Sequence, residues 1–243
     1  MDIVNKTVLI TGGARIGHFV ALALAKKGAH IAMTYLQSKD KVQKTVDAVQ
    51  ALGQKATLFQ ADVSRDGESK KMIESVVKKF GSIDVLVNMA SVYKPKPMKN
   101  LEAKDWDTNI GANLKSGYLC SLEASKGMLK NGAGKIINFS DWSSLNRPYK
   151  DFLPYHIAKG AVLPMTLALA AELAPAIQVN CIAPGPILPP ADFTKKQIEE
   201  VADATPLKRW GGPEEIVKAV LYLIDADFVT GQCLYVDGGR HLG

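Results

Sequence analysis

Residues 6–35, KTVLITGGARIGHFVALALAKKGAHIAMTY, contain two short apolar runs separated by a glycine-rich turn and a longer apolar stretch. The runs KTVLIT and HIAMTY have the length and the β-branched content of buried strands. The stretch from Ile16 to about Lys27 has the amphipathic pattern of a helix. A strand, a helix and a second strand in this order predict two parallel strands joined by a crossover helix.

This alternation of strand and helix continues to the end of the chain. Seven runs predict strands: KTVLIT, HIAMTY, KATLFQAD, IDVLVNMA, GKIINFSD, IQVNCIAPG and QCLYVDGG. Helical spacing fills the segments between them, for example at Met72, Ile73, Val76, Val77 and Phe80. Because right-handed crossovers place helices on both faces of parallel strands, we expect an α/β fold with a doubly wound, seven-stranded parallel sheet of the Rossmann type. No linker or repeat divides residues 1–243, which predicts a single domain.

Composition and charge argue against several classes of protein. With 47% hydrophobic and 22% charged residues, the chain has the composition of a soluble globular domain. The stretch MDIVNKTVLITGG lacks the pattern of a secretory signal and AVLPMTLALAAEL is too short to span a bilayer, so we expect a cytoplasmic protein without a membrane partner. The net charge of +6 comes from lysines dispersed over amphipathic helices, which is typical of a solvated surface and not of a nucleic-acid site.

The cysteines and histidines show no metal-ligand pattern. Cys120, Cys181 and Cys233 are isolated in apolar surroundings, which indicates buried, reduced thiols. The four histidines are scattered along the chain and lack metal-ligand spacing. We therefore expect no metal.

The sequence TGGARIG lies directly between the first strand and the first helix. Glycines such as Gly12 and Gly17 allow the backbone to approach a phosphate closely, and a helix that begins at Ile16 offers unpaired N–H groups. An ordinary tight turn also uses glycines, but the position between strand and helix favours a dinucleotide site.

The end of the second strand favours NADP over NAD. TYLQSKDK has no acidic residue before Asp40 that could bind the ribose hydroxyls and repel a 2′-phosphate. Ser38, Lys39 and Arg15 are available to contact that phosphate through charge-assisted hydrogen bonds. The alternative is that Arg15 and Lys39 point into water.

Two further features follow later strands. The segment APGPILPPADFT comes after the sixth strand, contains four prolines, and predicts an irregular loop where such folds bind ligands. In YHIAK, Tyr155 and Lys159 are four residues apart and share one face of a helix. An adjacent ammonium lowers the pKa of a tyrosine, which is about 10 in water, and so prepares it for proton transfer. The alternative is an ordinary surface tyrosine and lysine.

In seven motifs the chain resembles the short-chain dehydrogenase/reductase family. The motifs are TGGARIG, Asp62 in ADV, NMAS at 88–91, Asn113 in NLKSGYL, YHIAK, APGPI and VDGG. The resemblance covers nearly the whole chain and implies that Tyr155 donates a proton while NADPH delivers a hydride. It also implies that Lys159 holds the nicotinamide ribose, that Asn113 anchors a proton-relaying water, and that the protein forms a homotetramer.

The resemblance also implies a cofactor site, with two departures from the family. The implied cofactor contacts are Gly12, Arg15, Ile16, Gly17, Ser38, Lys39, Asp62, Val63, Asn88, Ala90, Tyr155, Lys159, Pro184, Gly185 and Ile187. TGGARIG is one residue shorter than the family's loop, which must tighten the turn or shift Arg15. Pro164 lies within the helix that carries Tyr155 and Lys159, and predicts a kink in it.

Asp141 occupies the position at which the family has a catalytic serine. An ionised aspartate cannot donate a hydrogen bond to a substrate oxygen, and it would oppose the negative charge that develops in ketone reduction. Three explanations are open: burial keeps Asp141 protonated, Ser143 or Ser144 supplies the hydroxyl, or the substrate presents N–H donors, as a pterin does. Alternatively, Asp141 only caps or braces its loop.

Aspartate at this position is a feature of pteridine reductases within the family. NMASVYKPKP resembles their strand-four loop, with Tyr93 where an aromatic ring stacks on the pterin, and PGPILPP resembles their substrate loop. The implied substrate contacts are Ser91, Tyr93, Asp141, Trp142 and Leu188, and the alternative for Tyr93 is a packing aromatic.

Together these features predict an NADPH-dependent reductase of a small molecule, with Tyr155 as proton donor. A pteridine or dihydropteridine is the favoured substrate class. The alternative is a 3-oxoacyl-[acyl-carrier-protein] reductase or another carbonyl or alcohol dehydrogenase. A non-catalytic protein that senses NADP is a further alternative.

Overall fold

The computed structural model describes residues 1–242, except for the side chain of Leu145. One sheet of seven parallel strands forms its centre. The strands are β1 Thr7–Gly12, β2 His30–Tyr35, β3 Ala56–Gln60, β4 Val85–Met89, β5 Gly134–Phe139, β6 Ile177–Pro184 and β7 Cys233–Val236. Their order in the sheet is β3-β2-β1-β4-β5-β6-β7, which confirms the predicted doubly wound, seven-stranded sheet.

Helices connect the strands. They are α1 Ile16–Lys26, α2 Lys39–Ala51, α3 Asp66–Phe80, α4 Ala103–Ile110, α5 Ser116–Asn131, α6 Trp142–Asn146, α7 Leu153–Gly160, α8 Val162–Leu173, α9 Lys195–Asp203 and α10 Pro213–Asp225. Short 3₁₀ turns occur at Met98–Asn100 and Arg240–Leu242, and a π-helical turn at Gly111–Lys115. Within residues 1–242, no helix is long and apolar enough to cross a bilayer.

The strand order reverses at β1. The chain passes from β1 through β2 to β3 on one side and then returns to place β4 on the other side of β1. Gly12 and Met89 are in register at the carboxyl ends of β1 and β4. In doubly wound sheets, the crevice at such a reversal binds ligands, so the topology directs attention to the loops that follow these strands.

Alternate residues of β1 point to opposite faces of the sheet, as the period of a strand requires. Val8 and Ile10 belong to an apolar cluster with residues of α1, α2 and α10. Leu9 belongs to a second cluster with residues of α3, α5 and α8. All three side chains are fully buried. The sheet is therefore covered by helices on both faces, which explains why its strands read as continuous apolar runs.

The helix predicted to kink at Pro164 is divided into α7 and α8. The division is at Ala161, three residues before the proline. Pro164 has no N–H to donate to the carbonyl of Gly160, and its ring crowds that carbonyl, so the helical hydrogen bonding is interrupted there. Pro164 itself lies in the first turn of α8, where a missing N–H costs little.

Candidate active site

A turn containing two glycines with positive φ connects β1 to α1. Gly12 has φ of +65° and Gly13 has φ of +80°. A Cβ atom on Gly12 would lie 2.9 Å from the Cα of Ala90, and one on Gly13 would lie 3.1 Å from the Cα of Gly17. Backbone conformation and space therefore both require glycine. Two consecutive residues of this kind make the tighter turn that the shortened loop predicts.

The amino end of α1 is suited to an anion. The side chain of Arg15, which precedes the helix, does not cap it, and the first turn contains no acidic residue. Free N–H groups and the positive end of the helix dipole then lie beside a turn that has no bulky side chains. These residues fit a dinucleotide pyrophosphate, so the predicted contacts at Gly12, Ile16 and Gly17 are compatible with the structure.

Arg15 contacts the loop after β6. Its guanidinium donates to the carbonyl of Pro189 at 3.1 Å and, more weakly, to that of Leu188 at 3.4 Å. The predicted phosphate contact of Arg15 would therefore require its release from this loop. Ser38 and Lys39 lie at the start of α2, directly beyond β2, and the Ser38 side chain makes no capping hydrogen bond. The Lys39 side chain is exposed.

Asp62 fixes the turn that follows β3. Its Oδ1 accepts hydrogen bonds from the N–H of Ser64 at 3.1 Å and from the hydroxyl of Ser64 at 2.6 Å. Its Oδ2 pairs with Arg65 at 3.2 Å. Val63 is buried beside it. The structure thus places the predicted adenine contact in a fixed turn at the carboxyl end of the sheet.

Asn88 and Ala90 lie at the end of β4 and have different surroundings. The buried amide of Asn88 donates to Oδ1 of Asn138 at 2.9 Å and to the hydroxyl of Ser121 at 3.1 Å. These bonds tie β4 to β5 and α5, so the Asn88 side chain is committed to the protein interior. Ala90 lies against Gly12, at the reversal of strand order.

Asn113 lies in the π-helical turn Gly111–Lys115. Its Oδ1 accepts from the hydroxyl of Ser91 at 2.7 Å and from the N–H of Val92 at 3.1 Å. Its Nδ2 donates to the carbonyl of Val92 at 3.1 Å and to Oδ1 of Asn109 at 3.2 Å. The side chain thus braces the loop after β4. A π turn leaves backbone groups out of the regular helical pattern and is frequent at functional sites, so a water held here would bind the backbone.

The hydroxyl of Tyr155 donates to Oδ2 of Asp141 at 2.9 Å. Oδ1 of Asp141 accepts from the N–H and from the hydroxyl of Ser143 and thereby caps α6. Asp141 therefore combines two roles that the sequence left as alternatives, because it caps its helix and faces Tyr155.

The pKa of Tyr155 is raised in this structure, contrary to the expectation that it is lowered by Lys159. The ammonium of Lys159 donates to the carbonyl of Phe139 at 2.7 Å. Burial, followed by the negative charge of Asp141, raises the pKa of Tyr155 well above its ordinary value. Burial lowers the pKa of the Lys159 ammonium to about 8, although the charge of Asp141 acts in the opposite direction.

Ser143 and Ser144 point toward a histidine that the sequence did not single out. The hydroxyl of Ser144 lies 3.2 Å from Nδ1 of His156, and that of Ser143 contacts Asp141 and lies 3.5 Å from the same nitrogen. Nε2 of His156 accepts the N–H of Tyr149 at 3.2 Å. Burial lowers the pKa of this imidazole. Neither serine takes the position beside Tyr155, which belongs to the carboxylate.

Aromatic rings surround Tyr155. Tyr93 stacks on Phe152 with ring centroids 4.4 Å apart and meets Tyr155 edge to face at 4.9 Å. The hydroxyls of Tyr93 and Tyr149 are 2.7 Å apart. Tyr93 is nevertheless 52% exposed, so it packs against the protein on one side and presents surface to solvent on the other. Its stacking on a planar substrate stays a prediction.

The loop after β6 is irregular, as its prolines predict. Its first residue, Gly185, passes so close to Asp237 that an added Cβ would lie 2.5 Å from the Cβ of Asp237. Ile187 is buried, whereas Pro184 and Leu188 are partly exposed. The loop is therefore anchored at Gly185 and Ile187, and Leu188 continues toward Arg15.

Trp142, also a predicted substrate contact, is the first residue of α6 and directly follows Asp141. The ring of Trp142 packs under the guanidinium of Arg240, whose central carbon lies 5.2 Å from the ring centroid. Sequence reasoning missed Tyr149, Phe152 and His156, although the aromatic spacing in RPYKDFLPYH was a visible signal. These side chains reach Tyr155 only because the segment before α7 folds back over the end of β5.

The cysteines and possible metal ligands are arranged as follows. Cys120 and Cys181 are buried free thiols, and Cys233 is a free thiol that is partly exposed. Cys181 and Cys233 are in register on β6 and β7. Within residues 1–242, no three His, Cys, Asp or Glu side chains are grouped so that they could hold a metal ion.

Comparison with known sequences gives matches over nearly the whole chain. The sequence profile of a family described as Enoyl-(Acyl carrier protein) reductase matches residues 13–241. A 3-oxoacyl-[acyl-carrier-protein] reductase of Staphylococcus epidermidis is 36% identical over 247 residues, which cover 98% of this chain and 100% of that protein. A (2S)-[(R)-hydroxy(phenyl)methyl]succinyl-CoA dehydrogenase subunit of Thauera aromatica is 37% identical, with coverage of 100% and 99%.

Solved structures show the same architecture. A short-chain dehydrogenase/reductase from Serratia marcescens matches with a TM-score of 0.92 and 30% identity, covering 99% of this chain and 100% of that one. A gluconate 5-dehydrogenase from Burkholderia cenocepacia, solved in complex with NADP and tartrate, matches with a TM-score of 0.90 and 29% identity, covering 99% and 96%. Each likeness extends over the whole sheet and its crossover helices.

Proposed function

The chain belongs to the short-chain dehydrogenase/reductase family and is an oxidoreductase that uses NAD(P); from this premise we propose that it is an NADPH-dependent reductase whose substrate presents N–H donors, as a pteridine does. The observation that carries this proposal is the Asp141 carboxylate, 2.9 Å from the hydroxyl of Tyr155. The position of Asp141 supports this substrate class, and the side chains around it support a proton-transfer role for Tyr155.

Tyr155 is the group placed to donate the proton. Tyr155 is buried, with 6% of the residue exposed, and its raised pKa keeps it protonated until a substrate arrives. NADPH, when bound, supplies the hydride. The proton of Tyr155 then goes to the substrate atom that gains the electron pair of the reduced double bond. Lys159 uses one of its three donors on Phe139, which leaves two for the ribose hydroxyls that the family resemblance assigns to it.

Substrate binding must exchange the hydrogen bond between Tyr155 and Asp141. Tyr155 has to donate to the substrate, and the freed oxygen of the partly buried Asp141 then needs a new donor from the substrate or from water. The edge of a pteridine carries N–H groups close to acceptor atoms and can satisfy both side chains. A 3-oxoacyl group offers acceptors alone and would bring its developing oxyanion beside a carboxylate.

The aromatic surroundings support a planar substrate. Tyr93, stacked on Phe152 and half exposed, presents a flat ring beside Tyr155. Aromatic rings favour offset stacking on other flat rings, at about 0.5–1.5 kcal/mol beyond the area that they bury. A fused bicyclic substrate gains from this arrangement, and a flexible acyl chain gains much less.

A second candidate is a 3-oxoacyl-thioester reductase. The names of the relatives favour it, since the protein of Staphylococcus epidermidis carries the name 3-oxoacyl-[acyl-carrier-protein] reductase at 36% identity over its full length. For this candidate, Asp141 requires a special explanation because it faces the reacting oxygen.

Oxidation of NADPH with each substrate separates the two candidates. We expect turnover with dihydrobiopterin that exceeds turnover with an acetoacetyl thioester. Activity on the thioester alone would remove the pteridine proposal and leave the second candidate. Activity on neither substrate, under conditions in which NADPH binds, would contradict both.

NADP as the preferred cofactor is also a proposal, supported by the absence of an acidic residue at the end of β2 and by exposed Lys39. Replacing Lys39→Gln should lower the ratio of kcat/KM for NADPH to that for NADH by about tenfold, the loss of one charge-assisted bond. Lys41→Gln, an equal change of charge one half-turn away, serves as the control. A ratio that is unchanged in Lys39→Gln would mean that this lysine points into water.

We propose a homotetramer, as the family resemblance implies. Large apolar side chains are exposed on α5, at Tyr118, Leu122 and Leu129, and on α7, at Leu153 and Ile157. Exposed apolar groups of this size mark interaction surfaces. Light scattering should give a mass four times the 26.2 kDa of the chain, and a monomer would contradict the proposal.

A further inference from the structure

A cavity of about 530 Å³ opens beside the candidate active site. Its lining residues are Trp142, Asn146, Arg147, Pro148, Ala204 and Arg240. We call it the basic cavity. Trp142 directly follows Asp141 in the chain, so the cavity begins one residue from the carboxylate that accepts the hydroxyl of Tyr155. Its volume is within the range of sites for small molecules.

The basic cavity has two positive charges and no acidic lining residue. In the part of the chain that the structure describes, arginine ion pairs are formed by Arg65 and Arg209. No such pair involves Arg147 or Arg240 among the described residues. Two guanidinium groups thus line one concave surface without a carboxylate within ion-pair distance, although the charge of Asp237 acts on Arg240 from farther away.

The guanidinium of Arg240 is held in place by neutral groups. Its Nη1 donates to the carbonyl of Val201 at 2.7 Å and to the hydroxyl of Thr205 at 3.1 Å. Its planar group also lies over the ring of Trp142. These contacts fix one side of the guanidinium, and no acceptor among the described residues engages Nη2. A guanidinium that is held in place and has free N–H donors is suited to bidentate recognition of an anion.

Arg147 and Arg240 are close enough to affect each other. Burial lowers the pKa of Arg240, and the positive charge of Arg147 lowers it further. Arg147 is exposed at the rim, so it can move toward a ligand. Two neighbouring cations repel each other, and an anion between them would relieve that repulsion.

We propose that the basic cavity binds an anionic group, a carboxylate or a phosphate, on a tail of the substrate whose reducible part lies at Tyr155 and Asp141; this inference rests on the reductase function proposed above. Trp142 separates the two parts of the site, with Asp141 on one side and Arg240 on the other. The tail would pass Trp142 and end between the two arginines. A substrate with such a tail would bind more tightly than its neutral counterpart.

Binding of isolated tails tests the cavity without catalysis. The probes are p-aminobenzoyl-glutamate, which carries carboxylates, and phosphopantetheine, which carries a phosphate. Calorimetry measures the affinity of each probe for the wild-type protein, for Arg147→Gln and for Arg147→Lys. We expect one of the probes to bind, and the affinity to fall about tenfold in Arg147→Gln. The affinity of Arg147→Lys for the probe should lie between those of the wild type and of Arg147→Gln, because lysine keeps the positive charge and lacks the planar guanidinium. Lys150→Gln, an equal change of charge outside the cavity, should bind like the wild type.

The same variants are then compared on substrate pairs that differ in the anionic tail. The pairs are dihydrofolate with dihydrobiopterin, and acetoacetyl-CoA with acetoacetyl-N-acetylcysteamine. In Arg147→Gln, the KM advantage of the anionic member over its neutral counterpart should shrink about tenfold, and Lys150→Gln should retain it. The pair that shows the effect identifies carboxylate or phosphate as the preferred anion.

The two proposals fail in different ways. If no substrate is turned over but a probe binds in an Arg147-dependent manner, the reductase proposal is wrong and the cavity is still an anion site. If neither probe binds, or if Arg147→Gln binds as tightly as the wild type, the cavity proposal is overturned whatever the activity.

Discussion

The buried hydroxyl of Tyr155 is bonded to the carboxylate of Asp141, whereas the ammonium of Lys159 is bonded to the carbonyl of Phe139. The tyrosine is therefore held protonated by its burial and, in addition, by a neighbour that accepts its hydrogen and repels its phenolate. A substrate must release this bond before Tyr155 can act as a proton donor. Asp141 thus affects both which substrate binds and when Tyr155 can donate its proton.

Replacement of Asp141 should change the substrate preference. Serine and asparagine both cap helices well, so Asp141→Ser and Asp141→Asn should preserve the start of α6. Both variants lose the negatively charged acceptor for a substrate N–H and keep only a neutral one, so kcat/KM for dihydrobiopterin should fall by roughly a hundredfold, the loss of a charge-assisted hydrogen bond. Asp141→Ser should in turn gain activity on acetoacetyl thioesters. If both variants reduce dihydrobiopterin as the wild type does, Asp141 only braces its loop.

Removal of the Tyr155 hydroxyl should stop turnover and leave the cofactor site intact. In Tyr155→Phe, the aromatic contact with Tyr93 can persist while the proton donor is lost. We expect kcat to fall by roughly a hundredfold to ten-thousandfold, as for removal of a general acid. The dissociation constant of NADPH, measured by fluorescence titration, should stay within a factor of a few. Full retention of kcat would contradict the role of Tyr155 and would revive a non-catalytic function.

The buried ammonium of Lys159 should make stability depend on pH. Its pKa is about 8 in the folded protein and its ordinary value is 10.5. Between these values the unfolded chain holds a proton that the folded protein has released, so the contribution of Lys159 to the free energy of unfolding rises with pH. The contribution of Lys159 to the free energy of unfolding is fully present above pH 10.5 and is lost as the pH falls through 8.

Chemical denaturation of the wild type and of Lys159→Met at several pH values measures this effect. The wild type should gain stability relative to Lys159→Met as the pH rises from neutrality toward 10. Lys78→Met, at an exposed position on α3, reports the general effect of removing a lysine. A difference between wild type and Lys159→Met that does not change with pH would show that the ammonium is not destabilised by burial.

The glycine turn should tolerate no side chain at Gly12. Gly12→Ala combines a positive φ with a Cβ that would lie 2.9 Å from the Cα of Ala90. Gly53→Ala is the matched control, since Gly53 has φ of +84° and nothing within 4 Å of the added Cβ. The control should lose about 1 kcal/mol from backbone strain, and Gly12→Ala should lose more and bind NADPH at least tenfold more weakly. Equal losses of stability in the two variants would mean that the backbone at Ala90 moves to accommodate the added Cβ.

Local sequence was sufficient to predict the sheet because strand and helix periodicities are properties of short segments. Each of the seven runs predicted as strands coincides with one strand of the structure, and β1 extends one residue beyond KTVLIT, to Gly12. The position of Gly12 between β1 and α1 also follows from chain order alone. The rules for crossovers predict a doubly wound parallel sheet, and ligands bind at the carboxyl ends of the strands of such a sheet, so the place of the site could be predicted without the strand order.

Only the tertiary structure decided which groups face one another at the site. YHIAK places Tyr155 and Lys159 on one helix face, but the partner of each is supplied by another segment: Asp141 for the tyrosine and Phe139 for the lysine. Burial and the charge of that neighbour set the direction of the Tyr155 pKa, and neither can be read from a spacing of four residues. The proximity of Arg147 and Arg240 could likewise not be predicted from local sequence. The two residues are brought together only when the end of the chain packs against α6. The periodicity of apolar residues is a local property, so the strands and helices could be predicted from the sequence. The electrostatic interactions depend on distances between residues that are far apart in the chain, so only the tertiary structure determined them.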